Sequence, residues 1–453
     1  MNRNPKLLVN MFSKIKENKY LHSILMLVSG SAFGHILTFL ALPLLTRYFS
    51  PSDFEVLAVF VAITTLVSSA ACCRFEIAIP LPKHDKNALA LLLISVMSAS
   101  IVTLLACVLI ITLEPWLVQT FLLSNTVLYL IPVGIFCAAL FNALQFWATR
   151  QKAFRLVAKT RISQSVFGNS TQLISAYFSI PLGLIIGQLL NYSSGIFSIA
   201  RFLVRDNWRC LRALSCKRLW FIAKKYDQYP KLSTLEVLAN NGGIQLPIVL
   251  IAYFVVGPEA GYLFLALKLM QVPMALIGGS IAQVFYAEIA KSDAHQIAEI
   301  TEKNIASLMR LGVGPIILLG GTLEIFAIHI FGDAWQRVGE IMVILLPWFV
   351  LQFLSSPISM IMHVAEAQRQ MLYLTIFGFV IRIGGLCTVF WLGANSYVEV
   401  LGVTCGIYYG ICLIVFTRKA KVDHTRLLTL LKLPAAIVTS SIVLVLILRG
   451  VFL

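Results

Sequence analysis

The chain alternates long apolar segments with short loops, and its basic residues fall almost entirely in every second loop. A helix needs roughly 20 predominantly apolar residues to cross the hydrocarbon core of a bilayer. Such runs recur along the whole chain, so the sequence predicts an all-α polytopic membrane protein. They lie near residues 23–46, 54–73, 88–112, 126–148, 155–178, 181–203, 232–256, 259–286, 303–330, 338–363, 370–392 and 396–417, with a last, shorter run at 434–452.

The distribution of Lys and Arg sets the orientation of these segments. With a cytoplasmic N-terminus, 30 of the 36 basic residues lie on the inner side, three lie outside, and three lie within apolar runs. Cytoplasmic loops of membrane proteins carry such an excess of Lys and Arg. The net charge of +16 is therefore explained by the basic residues of the cytoplasmic loops, which orient the spans. With 59% hydrophobic and 12% charged residues, the composition excludes a soluble nucleic-acid-binding protein.

Two passages of the sequence open their halves alike. ALPLLTRYFSPSDFEVLAVF at 41–60 and QLPIVLIAYFVVGPEAGYLFLA at 245–266 each place a Pro in a span, then a Pro followed by an acidic residue in the next turn. Six spans return the chain to its starting side, so the halves are expected to be parallel repeats about an axis normal to the membrane. The prediction is two six-helix bundles related by pseudo-twofold symmetry, with twelve core spans and an extra C-terminal apolar helix.

The expected organisation has five parts. They are a basic cytoplasmic N-terminus at 1–22, an N-lobe at 23–203, a basic linker at 204–231, a C-lobe at 232–420 and a tail at 421–453. The linker places Trp208, Leu211 and Trp220 among basic residues, which suits either a helix in the inner interface or a solvated loop. The C-terminus is outside if 434–452 spans the membrane, and inside if that segment is re-entrant or interfacial.

Three passages of the sequence resemble those of a known family. SGSAFGHILTFLALPLLTRYFSPSDFEVLAVF, RFEIAIPLP and KLMQVPMALIGGSIAQVFYAEIA are similar to passages of the bacterial polysaccharide-export flippases. These O-antigen and oligosaccharide translocases belong to the superfamily that also holds multidrug exporters and the lipid II flippase, the multidrug/oligosaccharidyl-lipid/polysaccharide (MOP) flippases. The resemblance covers most of residues 20–420 and implies the fold of that superfamily.

The resemblance also implies a function. The protein would move an undecaprenyl diphosphate-linked oligosaccharide, an O-antigen or related repeat unit, from the cytoplasmic to the periplasmic leaflet of a bacterial inner membrane. Membrane lipids, a polysaccharide polymerase and a chain-length regulator are the expected partners, without nucleic acid. No cofactor or metal is expected, and the nine cysteines show neither a disulfide framework nor a zinc pattern.

A lipid diphosphate carries concentrated negative charge that cannot enter hydrocarbon uncompensated. Three cations break the topological pattern because they lie within apolar runs: Lys268, Arg310 and Arg382. Lys268 and Arg382 fall near the middle of their runs and are the best candidate phosphate ligands. The alternative is that they pair with backbone carbonyls or a glutamate. Arg310 lies nearer the inner face, where its side chain can snorkel to water.

Two further arginines are weaker phosphate candidates. Arg74 matches a motif position of the family at the inner face, where a cytoplasmic substrate first arrives, although a local ion pair with Glu76 would also explain it. Arg47, at the outer end of the first span near Asp53 and Glu55, can receive or release phosphates, or form a surface ion pair.

Neutral polar residues form a stripe at helical spacing in the run at 155–178 and recur in neighbouring spans. Such side chains can bind sugar hydroxyls in a cavity, or they can hydrogen-bond between helices. The candidate cavity-lining residues are Gln145, Gln164, Gln172, Asn240, Asn241, Gln245 and Gln271.

Two rival functions follow from the same residues. A multidrug antiporter for organic cations would favour an acidic or apolar cavity, which the buried cations oppose. A membrane glycosyltransferase or polymerase is suggested by Asp53 and Glu55, which resemble a metal-holding acidic pair. Such enzymes need a long outer loop, whereas the longest outer connection, near 113–125, carries only Glu114 as a charged residue. A transporter, not an enzyme, is therefore expected.

Overall fold

The computed structural model describes residues 19–121, 123–212, 214–289 and 292–452, so most of the predicted N-terminal segment 1–22 lies outside the described residues. The described part is helical and contains no β-strand. Its helices are α1 (Lys19–Tyr48), α2 (Pro51–Ala71), α3 (Phe75–Ala78), α4 (Asp85–Phe121), α5 (Asn125–Arg150), α6 (Phe154–Tyr177), α7 (Gly183–Ser193), α8 (Ile196–Arg212), α9 (Cys216–Lys225), α10 (Thr234–Phe254), α11 (Glu259–Pro273), α12 (Gly279–Ile289), α13 (Ala294–Leu308), α14 (Gly314–Phe331), α15 (Gln336–Ile358), α16 (Ile361–Val364), α17 (Gln368–Trp391), α18 (Tyr397–Lys419) and α19 (His424–Phe452).

The protein is a multi-pass membrane protein. By length and composition, ten helical segments of the described part can cross a membrane, and α19 makes an eleventh if its two halves, bent by 49° at Pro434, form one span. Helices α1 and α6, which the sequence also predicts as spans, are not among the ten. They nevertheless pack along each other inside the bundle, and α6 also packs along α7. Helix α6 falls short in hydropathy because it carries the polar stripe.

Successive spans reverse direction, which gives the bundle two ends. We call the end with the α1–α2 turn the Ser50 end, and the end with the α5–α6 turn the Arg150 end. Ser50 caps α2: its hydroxyl accepts from the Asp53 amide at 3.3 Å, and the Asp53 carboxylate accepts from the Ser50 amide at 2.8 Å. With Pro51 in the first turn, this capping box fixes where α2 begins.

The two halves of the chain touch closely at the Ser50 end. A Cβ added to Gly261 on α11 would lie 2.3 Å from the Pro51 carbonyl oxygen and 2.8 Å from the Glu55 amide nitrogen on α2. The Trp335 indole donates a hydrogen bond to the Thr46 carbonyl at 3.0 Å, and its ring meets Phe54 edge-on at 4.8 Å. The bundle is therefore sealed at this end by contacts that glycine and buried aromatic residues make possible.

The basic linker contains helical structure. Helix α9 and the end of α8 expose Trp208 and Trp220, and each ring lies under a basic side chain: the Arg212 guanidinium is 4.6 Å from the Trp208 ring, and the Lys224 ammonium is 5.2 Å from the Trp220 ring. Ile222 on the opposite side of α9 is buried. This part of the linker is thus an amphipathic surface with exposed aromatic and basic residues.

The C-terminal apolar segment is a helix that packs along α13 and α14. Arg426, near its start, pairs with Glu299 at 3.1 Å, and Arg449, near its end, pairs with Glu324 at 3.2 Å. Glu299 lies at the beginning of α13 and Glu324 well along α14, so α19 accompanies these helices through the bundle. Helix α19 therefore does not turn back on itself in this structure.

Candidate functional site

A polar cavity of about 370 Å³ lies between α1, α6 and α7 of the first half and α11 of the second half. A smaller cavity of about 90 Å³ shares Thr38, Asn191 and Lys268 with it and extends towards Phe54, near the Ser50 end. No Asp or Glu of the described residues lines either one. The larger cavity is lined by Gly34, His35, Thr38, Phe39, Arg161, Gln164, Ser165, Asn191, Lys268, Gln271 and Val272.

The polar stripe of α6 builds one wall. Gln164, Gly168, Gln172 and Ser175 are all buried and recur at helical spacing. The Asn191 amide donates to the Gln164 carbonyl at 3.2 Å. The stripe therefore lines the cavities and also takes part in hydrogen bonds between helices, whereas sugar binding stays a prediction.

Small residues bring α6 and α7 together behind this wall. A Cβ added to Gly187 on α7 would lie 2.7 Å from the Gly168 carbonyl oxygen on α6. The Gln172 amide donates to the Leu184 carbonyl at 3.1 Å across the same contact. These interactions hold the polar side chains in place around the cavity.

Lys268 is the cation of the second half that lines both cavities. It lies half-buried on α11, with its ammonium nitrogen 5.2 Å from the centre of the Phe264 ring. No carboxylate of the described residues lines the cavities beside it. Lys268 therefore places an amine at the interface of the two halves, in cavities without a described carboxylate.

Arg161 supplies a second cation that the sequence analysis missed. The prediction counted it only among the basic residues of the inner side, whereas in the structure Arg161 lies two turns inside α6 and lines the larger cavity. Its guanidinium donates to the Gln145 side-chain oxygen at 2.6 Å and lies 5.2 Å from the Phe141 ring. A sequence signal existed, since Arg161 shares the helical face of Gln164, Gly168 and Gln172.

Two of the predicted phosphate ligands do not line either cavity in this structure. Arg382 is buried on α17, where its guanidinium donates to the Gly243 carbonyl at 3.2 Å and lies 4.3 Å from the Tyr408 ring. This is the backbone pairing considered as the alternative. Arg310 is exposed in the wide helical turn Met309–Val313.

The other two arginines make local contacts. Arg74, with a left-handed backbone (φ 59°), pairs with Glu76 at 3.4 Å, so the alternative ion pair is present. Arg47 donates to the His329 carbonyl and thus joins α1 to α14 at the Ser50 end. Neither residue lines the two cavities.

The predicted neutral residues divide between cavity and scaffold. Gln164 and Gln271 line the larger cavity, Gln172 lines the smaller one, and Gln145 holds Arg161. Asn240, Asn241 and Gln245 lie on α10 and line neither. The structure adds His35, which is half-buried on α1 beside Lys268 and Arg161.

Asp53 and Glu55, the acidic pair that suggested an enzyme, lie in the first turns of α2. The Asp53 carboxylate is engaged by both the amide and the hydroxyl of Ser50, at 2.8 and 2.7 Å. Among the described residues, no group of three or more His, Cys, Asp or Glu side chains has a metal-binding arrangement. Asp53 therefore acts as a helix cap in this structure.

Comparisons with a family model and with solved structures agree with this helical fold. A family model described as "Polysaccharide biosynthesis protein" matches residues 44–340, more than half of the chain. No curated protein matches the chain. The structure is similar to that of the lipid II flippase MurJ in an inward closed conformation, with 13% identity, 95% of this chain and 93% of that chain covered, and a TM-score of 0.72.

It is also similar to an inward-facing multidrug resistance MATE family transporter of the MOP superfamily, with 14% identity, 88% and 96% of the two chains covered, and a TM-score of 0.66. An outward-facing MATE family transporter gives 15% identity, 90% and 96% coverage, and a TM-score of 0.52. The predicted helical fold, which is the fold of these transporters, is thus confirmed. The chain therefore belongs to the polysaccharide biosynthesis protein family and has the transporter fold of the MOP flippase superfamily.

Proposed function

We propose that this transporter is a flippase for an undecaprenyl diphosphate-linked oligosaccharide. It moves the O-antigen or related repeat unit from the cytoplasmic to the periplasmic leaflet of the bacterial inner membrane by alternating access. The observation that carries the proposal is the polar cavity of about 370 Å³ that contains Lys268 and Arg161 and no described carboxylate. Its charge is opposite to that of a diphosphate.

The chemistry of the cavity suits the two parts of such a headgroup. An ammonium and a guanidinium can each hydrogen-bond phosphate oxygens, and the guanidinium can do so with two donors at once. Gln164, Gln271 and Asn191 can donate to and accept from sugar hydroxyls. An organic cation, the substrate class of the rival antiporter, would instead meet two like charges without a neutralising acid.

The proposal also assigns direction and membrane sides. The Ser50 end faces the periplasm and the Arg150 end the cytoplasm, in accordance with the excess of Lys and Arg in inner loops. Because the bundle is sealed at the Ser50 end, the proposal assigns this state to the part of the cycle before the substrate is released to the periplasm. Residues 23–203 and 232–420 form the two lobes, and Arg161 and Lys268 place one cation from each lobe at the substrate.

The linker 204–231 lies in the inner interface according to the same proposal. Trp208 and Trp220 reach the headgroup region, while the surrounding Lys and Arg meet anionic lipids. A polysaccharide polymerase and a chain-length regulator are the protein partners that the family membership suggests.

A reconstitution experiment tests the proposal. Purified protein in proteoliposomes that contain undecaprenyl diphosphate-oligosaccharide is expected to expose the inner-leaflet glycan to a membrane-impermeant glycosidase much faster than protein-free vesicles. The same vesicles are tested for uptake of a fluorescent organic cation. Cation uptake without glycan transfer would establish the antiporter and overturn the flippase.

Arg161→Gln is expected to lower glycan transfer roughly tenfold or more, because one charge-assisted interaction with phosphate contributes about 1.5–3 kcal/mol. Arg161→Lys should fall between this variant and the wild type, since the charge stays and the planar fork is lost. Arg155→Gln, on an exposed position of the same helix, is the matched control. Equal transfer by Arg161→Gln and Arg155→Gln would remove Arg161 from the substrate site.

A further inference from the structure

Arg382 is a buried cation of the second half that has no acidic partner among the described residues. Its side chain lies between α10, α17 and α18, and the residue is 4% exposed. No carboxylate within the described residues acts on its charge. A buried guanidinium without an ion pair is costly in a membrane helix, so its hydrogen bonds need a specific explanation.

The explanation lies in the helix that Arg382 contacts. In an α-helix the amide of each residue donates to the carbonyl four residues earlier, and proline has no amide hydrogen. Pro247 lies inside α10, four residues after Gly243. The Gly243 carbonyl therefore lacks its donor within the helix, and this is the carbonyl to which the Arg382 Nη1 donates at 3.2 Å.

The surrounding residues are shaped for this contact. A Cβ added to Gly243 would lie 2.9 Å from the Arg382 Nη1, and one added to Gly242 would lie 2.9 Å from the Phe379 ring. On the opposite side, the guanidinium lies 4.3 Å from the Tyr408 ring and 5.4 Å from the Tyr409 ring. The two glycines let α10 approach α17, and the tyrosine rings stabilise the cation by cation–π interaction.

We propose that Arg382 is a positioning residue that supplies the hydrogen-bond donor that Pro247 removes from α10. The bond holds α10 at its proline bend and thereby sets how α10 packs against α2, its neighbour from the other half. The Nε and Nη2 atoms of Arg382 have no hydrogen-bond partner among the described residues, so a single bond makes this connection. The consequence for transport rests on the proposed function, whereas the bond itself does not.

The proposal predicts a double-variant result that would not be expected if Arg382 were a phosphate ligand. If Arg382 only replaces the missing amide, then Pro247→Ala, which restores that amide, removes the need for Arg382. Arg382→Met should disturb α10, and the double variant Arg382→Met/Pro247→Ala should recover. If Arg382 instead binds substrate, Pro247→Ala cannot compensate for its loss.

The experiment measures helix geometry and transport separately. Spin-labelled amino acids are incorporated at the exposed positions Leu235 on α10 and Tyr373 on α17, and inter-label distances are recorded for protein in lipid nanodiscs. Arg382→Met is expected to shift or broaden the distance distribution and to lower glycan transfer about tenfold, as for one lost charge-assisted hydrogen bond. The double variant should restore both. Arg369→Met, exposed on the same helix, is the matched control.

Each outcome either supports or overturns the proposed role of Arg382. A distance distribution for Arg382→Met that equals that of Arg369→Met overturns the proposal, as does a double variant that stays as altered as the single one. If Arg382→Met does not fold, recovery of folded protein in the double variant supports the proposal, and failure to recover while Pro247→Ala folds overturns it. Cation uptake without glycan transfer by the wild type would refute the flippase function without changing the distance result.

Discussion

Lys268→Gln is expected to lower glycan transfer and surface polysaccharide at least tenfold at matched expression. The substitution keeps a polar side chain but removes the positive charge that α11 contributes to both cavities. The loss of one charged contact with phosphate costs about 1.5–3 kcal/mol, which corresponds to roughly a 10- to 150-fold change. The measurement is the rate of glycan transfer in proteoliposomes, supported by surface polysaccharide in cells.

The conservative variant and a matched control separate charge from shape. Lys268→Arg should retain most of the transfer, because it keeps the charge at the same position. Lys303→Gln is the control, since Lys303 is 64% exposed and pairs with Glu299 away from the cavities. Wild-type transfer by Lys268→Gln would show that the cationic cavity does not bind the diphosphate.

The second large effect is expected from Gly261→Ala. The new methyl group would lie 2.3 Å from the Pro51 carbonyl oxygen, a distance that requires the backbone to move. Overpacking of this kind costs about 1–3 kcal/mol, so the state sealed at the Ser50 end should lose population by roughly 5- to 150-fold relative to the open state. The transporter should then rest with its Ser50 end open, and glycan transfer should fall.

Distances across the Ser50 end measure this shift. Spin-labelled amino acids at the exposed positions Ser52 on α2 and Asp333 before α15 should report a longer distance in Gly261→Ala than in the wild type. Gly279→Ala is the control, because no atom lies within 4 Å of a Cβ added there. An unchanged distance in Gly261→Ala would mean that the α2–α11 contact does not determine the closed state.

The sequence predicted the fold because membrane helices follow a local rule. Length, hydropathy and the side of the basic residues are properties of each segment by itself. Helix α6 was the informative exception. The sequence predicted a span at 155–178, but the hydropathy of this segment is too low for it to be among the ten helices that can cross a membrane by length and composition. Its 24 residues nevertheless pack inside the bundle, where their polar face lines a cavity.

The candidate site was only partly predictable, as three cations show. Lys268 stood out because it lies in the middle of an apolar run, and it does line the cavity. Arg382 stood out for the same reason, yet it hydrogen-bonds the Gly243 carbonyl in another part of the bundle. Arg161 was counted only as one of several inner-side basic residues, although it lies on the cavity face of α6. Their binding roles stay predictions.

The sequence by itself determined that this chain is a helical multi-pass membrane protein of a known family, because the lengths of the apolar runs, the charge asymmetry and the motifs are local properties of the chain. Only the tertiary structure decided that Arg161 and Lys268 share one cavity while Arg382 hydrogen-bonds the Gly243 carbonyl elsewhere in the bundle. The physical reason is that the effect of a charge depends on what its helix face meets. That neighbour comes from a distant part of the chain and is set by packing, not by position in the sequence.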